Sequence, residues 1–210
     1  MNAEKNMDFK GKHKPKKRLI LNSSGKLMSK LIPWNVGLSI AEPIARLFEP
    51  PQKLVGPYVK RGQVVADLGC GRGYYTLALA KLVGADVKVY AVDLNKNNVR
   101  ALQKRADKAG YHNIEAHNSS ASDLSFITDK SVDFILANGL LWSMATDRQL
   151  SVKEMKRILK PDGQIYMSLG AGPPFGYVDQ SEWENILEEF TIRRGGSYQQ
   201  KWALLSLKQV

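Results

Sequence analysis

The stretch Val64–Gly73 reads Val-Val-Ala-Asp-Leu-Gly-Cys-Gly-Arg-Gly and constrains the fold of this chain more than any other. A short apolar run that ends in Asp67 predicts a buried strand. Three alternating glycines follow it, and residues 74–83 then carry apolar side chains at helical spacing. A strand, a glycine loop and a helix bring backbone N–H groups close to a ligand, and glycine allows that approach because it lacks a Cβ. We therefore expect the loop to bind a ligand.

The spacing of the glycines argues against a dinucleotide. The dinucleotide fingerprint G-x-G-x-x-G requires a glycine where this chain has Thr76 or Tyr74, depending on the register. Asp67 would repel a diphosphate but would attract an ammonium group. Asp93 ends a second apolar run about twenty residues past the loop, and a carboxylate there can accept hydrogen bonds from both hydroxyls of a ribose. An adenosine joined to an amino acid satisfies both requirements.

Four landmarks in this order and spacing resemble the class I S-adenosylmethionine (SAM)-dependent methyltransferases, in particular the methyltransferase-11/25-type domain. They are Asp67–Gly73, Val92–Leu94, Ser131–Leu136 and Arg157–Gly163. The resemblance covers roughly residues 54–169. It implies a doubly wound, mostly parallel, seven-stranded α/β sheet, the Rossmann-like methyltransferase fold, with the last strand antiparallel beside the fifth. It also implies SAM as the cofactor and S-adenosylhomocysteine as the product.

The resemblance assigns the methionine part of SAM to the glycine loop. Gly69, Cys70, Gly71 and Gly73 would hold it, with the loop amides facing its carboxylate. Asp67 would attract its ammonium group, often through water. A second interpretation of Asp67 is a carboxylate that caps the helix or braces the loop, and both roles can hold together. We expect Cys70 to be a small packed side chain and not a nucleophile.

The adenosine part is assigned to the ends of the next two strands. Asp93 would accept the ribose hydroxyls. Leu94 would pack on the adenine face, or else belong to the ordinary core.

The segment Ser119–Asp123 departs from the family pattern at the adenine edge. Relatives commonly have an acid there that accepts the adenine amino group, whereas this chain has Ser120. A hydroxyl can accept the same hydrogen bond at roughly half the strength of a charge-assisted one. Asp123 is an alternative acceptor, and the amides of Ala121 and Ser122 are candidates for contacting the ring nitrogen.

Two residues after the fourth predicted strand are candidates for positioning the methyl acceptor. Asn138 would contact the cofactor and orient the substrate beside it, and Trp142 would wall an apolar pocket. The sulfonium methyl is already activated, so transfer requires in-line alignment more than a protein nucleophile. A general base is required only if the acceptor must first lose a proton. The three histidines are expected to be structural or solvated; they are His13, His112 and His117.

The remaining elements follow from periodicity and turn residues. Asn95 should cap a helix that ends before Gly110. The alternation of strands and helices predicts a doubly wound parallel sheet. Listed along the chain, the predicted elements are a helix at 95–109, strands at 113–117 and 132–137, a helix at 147–159 ended by the turn 161–163, a strand at 164–169, a helix at 179–188, and strands at 190–193 and 201–207.

Composition indicates an ordinary soluble protein, with 43% apolar and 24% charged residues. No run of 18 apolar residues predicts a membrane span, and the early apolar patch is too short for a signal peptide. The single cysteine excludes an internal disulfide and argues against the thiol-relay chemistry of arsenite methylation. The spacing of histidines and acids predicts no metal site. We expect a cytoplasmic protein. Its predicted parts are a basic, poorly ordered tail (1–25), a helical extension or lid (26–61, including Ile32–Asn35) and a SAM-binding domain (62–210).

The net charge of +11 raises the question of partners. Residues 1–18 hold seven Lys or Arg and two acids, so they contribute +5 and the remainder contributes +6. Such an arm can hold nucleic acid or an anionic membrane surface, or can simply be solvated. The leading hypothesis is a methyltransferase of a small molecule. The alternatives are a methyltransferase of RNA or protein recruited by the tail, and a SAM-binding module without activity; the oligomeric state stays open.

Overall fold

The computed structural model describes residues 50–143, 148–169, 180–196 and 202–208, without the side chains of residues 142, 143 and 180. Three predicted segments lie outside this part: the tail at 1–25, the lid segment Ile32–Asn35 and the rest of the extension up to residue 49. The statements that follow concern the described residues.

Seven strands form one sheet in the order β3-β2-β1-β4-β5-β7-β6. The strands β1 to β5 are parallel, and β7 is antiparallel to both β5 and β6. The predicted doubly wound sheet, including the antiparallel insertion of the last strand, is confirmed. In chain order the elements are α1 (Pro51–Val55), β1 (Val65–Leu68), α2 (Tyr74–Val83), β2 (Val89–Val92), α3 (Lys96–Ala109), β3 (Ile114–His117), β4 (Val132–Asn138), α4 (Leu140–Ser143), α5 (Arg148–Ile158), β5 (Leu159–Ser168), α6 (Gln180–Glu188), β6 (Thr191–Gly196) and β7 (Trp202–Ser206).

The helix α3 shows how local chemistry sets the boundaries of an element. The side chain of Asn95 accepts a hydrogen bond from the amide of Asn97 at 2.9 Å and so caps the first turn. Gly110 ends the helix with φ of 73°, a left-handed conformation that suits glycine. Leu102 and Ala106 form its buried face. The predicted N-cap and stop are confirmed.

The turn predicted at 161–163 is wrong as a boundary between α5 and β5. The helix ends at Ile158 and the strand begins at once, because Leu159 pairs with Val132 and Gln164 pairs with Phe134. The intervening residues 160–163 form an excursion within β5, opposite Asp133. Lys160 Nζ donates to Asp133 Oδ1 at 2.7 Å and holds the excursion against β4. Contact with the neighbouring strand therefore overrides the turn signal.

Apolar residues cover both faces of the sheet and form two core clusters. One cluster packs α5 and α6 against one face, and the other packs α1, α2 and α3 against the other. Val55 and Val59 are buried in the second cluster, so this end of the predicted extension packs into the core of the domain. None of the helices in the described ranges is long and apolar enough to cross a membrane.

Candidate cofactor and active site

The carboxyl ends of β1, β2, β3 and β4 meet at one edge of the sheet. The pairing register sets Leu68 beside Val92 and Val92 beside His117, so the residues that follow these strands are neighbours. Asn138 ends β4 on the other side of β1. Open α/β sheets bind ligands in the crevice at this edge. The edge therefore gathers the residues that the sequence marked as a site.

The three glycines of the loop all have left-handed backbone conformations, with φ of 78°, 52° and 84° at Gly69, Gly71 and Gly73. A Cβ at Gly73 would lie 2.2 Å from Cδ1 of Leu102, so this glycine lets the loop pack tightly on α3. A Cβ at Gly71 would meet no heavy atom within 4 Å. The loop is thus anchored at its end and open at its centre.

The loop amides already donate within the protein. The amides of Gly69 and Cys70 donate to the carbonyl oxygen of Val92 at 2.8 and 3.0 Å. The amide of Gly71 donates to Asp93 Oδ2 at 2.8 Å, and that of Gly73 donates to the carbonyl of Cys70 at 2.9 Å. The prediction that these amides face a carboxylate of the cofactor therefore requires sharing or exchange of their present partners.

Asp67 lies under the loop and braces it. Its side chain is only 3% exposed, and Thr76 Oγ1 donates to its Oδ2 at 2.6 Å. Burial raises the pKa of Asp67 to about 7, the Thr76 hydrogen bond opposes that rise, and the charge of Asp93 adds to it. This geometry is the bracing role that the sequence analysis held open. Attraction of an ammonium group stays a prediction.

Cys70 is 6% exposed and belongs to the apolar cluster beneath the loop. Burial, with the nearby charges of Asp67 and Asp93, raises the pKa of its thiol above the usual range. The thiol is therefore protonated near neutral pH and is a poor nucleophile.

The carboxylate of Asp93 accepts three hydrogen bonds at this edge of the sheet. Besides the Gly71 amide, it accepts hydrogen bonds at Oδ1 from the amide of Asn95 at 2.8 Å and from Asn98 Nδ2 at 3.2 Å. Leu94 is 66% exposed, which excludes the core interpretation of that side chain in this structure. A carboxylate beside an exposed apolar side chain is the pairing that a ribose and its base require.

Asn118 was missed by the sequence analysis, although it directly follows β3 as Asp93 directly follows β2. Its Nδ2 donates to the carbonyl oxygens of Asp93 and Leu94 at 3.0 and 2.8 Å. The side chain thereby ties the ends of two strands together. The one sequence signal for Asn118 is its position directly after a predicted strand.

The serine-rich segment is folded on itself by its own hydroxyls. The hydroxyls of Ser120 and Ser122 lie 2.7 Å apart, and Ser119 Oγ donates to the carbonyl of Asp123 at 3.0 Å. Ala121 is 3% exposed and anchors the segment in the core. The amide of Ser122 donates to Ser120 Oγ at 3.2 Å, so the predicted adenine contacts at these positions are partly engaged.

Arg157, from the fourth landmark, clamps the loop that follows the serine segment. Its guanidinium donates to the carbonyls of Leu124 and Ile127 at 2.8 and 2.9 Å and to Glu154 and Asp129. Glu154 Oε2 accepts the amide of Leu124 at 2.9 Å. The hydrogen bond to Arg157 lowers the pKa of Glu154, and that pairing raises the pKa of Arg157. The landmark thus holds the loop that follows the serine segment.

Asn138 and its neighbours close the edge at β4 and β5. Ser168 Oγ donates to Asn138 Oδ1 at 2.6 Å, and the amide of Gly139 donates to Ser168 Oγ at 3.1 Å. The side chain of Asn138 is therefore held at the position where the sequence predicted a substrate contact. Trp142 lies in α4, and the prediction for its side chain falls outside the described residues.

Of the two described histidines, His117 ends β3 at this edge, where its carbonyl accepts a hydrogen bond from the amide of Asp93 at 3.2 Å. His112 is exposed in a loop, and the ring of His117 stacks on Phe126 with centroids 3.8 Å apart. Nε2 of His117 lies 3.9 Å from Glu115 Oε2, which is too long for a hydrogen bond. His13 lies outside the described ranges. Within those ranges, no three metal-ligating side chains cluster.

The family described as "Methyltransferase domain" matches residues 59–193, which is more than half of the chain. A solved SAM-dependent methyltransferase from Aquifex aeolicus aligns with a TM-score of 0.64 and 25% identity over 78% of this chain and 97% of that one. The chain belongs to the SAM-dependent methyltransferase family. Family membership makes SAM the cofactor that the site must be tested against.

Curated relatives agree with the family but match only in part. A demethylmenaquinone methyltransferase of Bacillus velezensis is 34% identical over 107 residues, 51% of this chain and 45% of that protein. An arsenite methyltransferase of Aquipseudomonas alcaligenes is 32% identical over 121 residues, 55% of this chain and 35% of that protein. The chain therefore spans half or less of the length of these relatives.

The residues at the strand ends fit the cofactor. The cradle above Gly71 is open, Asp93 supplies a carboxylate at its rim, and Leu94 presents an exposed apolar side chain beside it. An amino acid joined to an adenosine matches this arrangement: the amino acid would lie against the loop, the ribose beside the carboxylate and the adenine on the apolar side chain. The family cofactor and the geometry agree.

Proposed function

We propose that this protein transfers the methyl group of SAM to a small-molecule acceptor. The observation that carries the proposal is the adjacency of the glycine loop, Asp93 and Leu94 at one edge of the sheet. Asp93 would accept the ribose hydroxyls, Leu94 would cover the adenine, and the loop would hold the methionine part. The family match and the small-molecule names of the curated relatives support it.

The chain contributes to the reaction by binding and alignment. SAM, when bound, supplies an electrophilic methyl group on a sulfonium. Asn138, held by Ser168, would orient the acceptor at the end of β4. Such fixed positioning lowers the barrier because it removes translational and rotational freedom before the reaction. The single cysteine is buried, so the acceptor is not expected to be bound through thiols.

A direct test measures both binding and turnover. Isothermal titration of the full chain with SAM and with NADH should show binding of SAM only. Incubation with methyl-labelled SAM and a panel of quinols, catechols and small amines should then label one acceptor class. The Asn138→Ala variant should lose turnover while it keeps the affinity for SAM within about threefold, whereas unchanged turnover would remove Asn138 from the proposal.

A second candidate is a methyltransferase of RNA or protein. It is favoured by the net charge of +11 and by the seven basic residues among the first 18. Deletion of residues 1–18 separates the two candidates. Activity that falls with the deletion and declines steeply with salt would favour a nucleic acid. Binding of SAM without methylation of any acceptor would favour a binding module.

A further inference from the structure

The edge strand β6 contains a bulge that sets two arginines on one face of the sheet. Ile192 pairs with Leu205, whereas Arg194 pairs with Leu204, so Arg193 and Arg194 together oppose a single residue of β7. Successive side chains of a regular strand point to opposite faces, and a bulge changes that alternation. Both arginines accordingly line the same cavity.

This cavity is wide open to solvent and has a volume of about 410 Å³. It is separate from the strand-end site, because Gln164 precedes Ser168 by four residues along β5, or about 13 Å of strand. Its lining residues are Pro57, Tyr58, Gln164, Arg193, Arg194 and Leu204.

Both arginines line the cavity, and one hydrogen bond anchors the side chain of Arg193. Arg193 Nε donates to Ser206 Oγ at 2.9 Å, which anchors the side chain. The two terminal nitrogens of the guanidinium group would donate to a ligand. The ion pairs formed within the described ranges include neither arginine. Two adjacent cations repel each other, and no acid of the described ranges pairs with them, so an anion between them would be stabilised.

Aromatic ring contacts hold Tyr58, which lines the same cavity. The ring of Tyr58 stacks on that of Phe134 with centroids 6.3 Å apart and an interplanar angle of 11°. The ring centroids of Tyr166 and Tyr58 lie 6.0 Å apart, and the ring of Tyr166 stacks on that of Trp202 with centroids 5.6 Å apart. A side chain already fixed by packing loses little entropy when a ligand binds.

We propose that this cavity is a second ligand site, which binds a phosphate-bearing ligand through Arg193 and Arg194. A carboxylate has two oxygens and is satisfied by one guanidinium fork, whereas a terminal phosphate presents three oxygens and two negative charges that match two forks. Tyr58 and Gln164 would contact the remainder of the ligand. The phosphate can belong to a free nucleotide or to a single-stranded RNA.

The test uses the full chain with S-adenosylhomocysteine at saturation, so that the strand-end site is filled. Titration with UMP and with inorganic phosphate should show binding, and titration with uridine should not. The double variant R193Q/R194Q should bind UMP at least tenfold more weakly, with an unchanged melting temperature and unchanged affinity for S-adenosylhomocysteine. The matched control K104Q/K108Q removes two exposed charges from α3 and should change UMP affinity by less than twofold.

Two further arms complete the test. Arg194→Lys keeps the charge but loses the fork, so UMP affinity should fall about three- to fivefold even if the double variant fails to fold. If an oligouridine of eight nucleotides binds more tightly than UMP, and R193Q/R194Q weakens that binding, RNA is the source of the phosphate. Equal affinities for the oligouridine and UMP identify a free nucleotide. Absence of phosphate binding in the native chain, or equal losses in both double variants, would overturn the proposal.

Discussion

The carboxylate of Asp93 accepts a hydrogen bond from the amide of Gly71 at 2.8 Å, across the edge between β2 and β1. The same carboxylate accepts the amide of Asn95, which opens α3. One side chain thus holds the glycine loop, the end of β2 and the start of a helix in a single arrangement. Its proposed role toward the ribose depends on this position.

Asp93→Asn should weaken SAM binding by about 10- to 100-fold, because a charge-assisted hydrogen bond is replaced by a weaker neutral one. Isothermal titration measures the change. Asp107→Asn is the matched control, since Asp107 is exposed on α3 and its carboxylate accepts a hydrogen bond from Gln103 Nε2 on the same helix. Equal affinities for the native chain and the Asp93 variant would contradict the assignment of the ribose site.

Gly73→Ala should lower the free energy of unfolding by about 2–5 kcal/mol. The left-handed backbone costs about 1–2 kcal/mol and overpacking against Leu102 adds about 1–3 kcal/mol. Gly71→Ala has the backbone cost alone, because a Cβ there has no heavy-atom neighbour within 4 Å. Urea unfolding of both variants provides the comparison. The cost of Gly73→Ala should also shrink in a Leu102→Ala background, and a cost independent of Leu102 would argue against the clash.

The stability of the protein should depend on pH through Asp67. Burial raises the pKa of Asp67 from 3.8 to about 7, so the folded state retains a proton that the unfolded chain releases above about pH 4. The resulting stabilisation is complete below pH 4 and is lost as the pH rises to about 7. Relative to Asp67→Asn, the native chain should lose about 1.4 kcal/mol of unfolding free energy per pH unit between these limits. Urea unfolding from pH 4.5 to 7.5 tests the slope, and parallel curves would show an ordinary pKa.

Binding of SAM should release a proton below pH 7 if its ammonium group lies near Asp67. A cation beside the carboxylate favours the ionised form and lowers its pKa. Isothermal titration at pH 6 in buffers with different ionisation enthalpies measures the release. The Asp67→Asn variant provides the baseline. Identical heats of proton release in the native chain and this variant would leave Asp67 with its bracing role alone.

Arg157→Ala should destabilise the fold by about 2 kcal/mol or more, because it removes the donor of the Ile127 carbonyl, one of two donors to the Leu124 carbonyl and the charged partner of Glu154. Lys156→Ala, one residue earlier on α5, removes only the exposed ion pair with Glu189 and should cost at most about 1 kcal/mol. Unfolding free energies test the difference. Similar losses for the two variants would mean that the Arg157 network contributes no more than a surface pair.

Much of the scaffold could be predicted because the responsible interactions are local. The apolar run at β1, the cap at Asn95 and the stop at Gly110 act within a few residues, so their elements appear where the pattern indicated. The start of β5 could not be predicted in the same way. Pairing of Leu159 with Val132 continues the sheet across a turn signal, and no local rule contains that partner.

The sequence by itself determined the family landmarks, the order of strands and helices and the sheet edge at which we propose the site, because periodicity, caps and glycines act along the chain. Only the tertiary structure decided that Thr76 would brace Asp67, that Asn118 would link the ends of β2 and β3, and that a bulge would turn Arg193 and Arg194 toward one cavity. These relationships join different elements, and strand register and helix packing determine them. A one-residue change in register would move the same side chains to the other face.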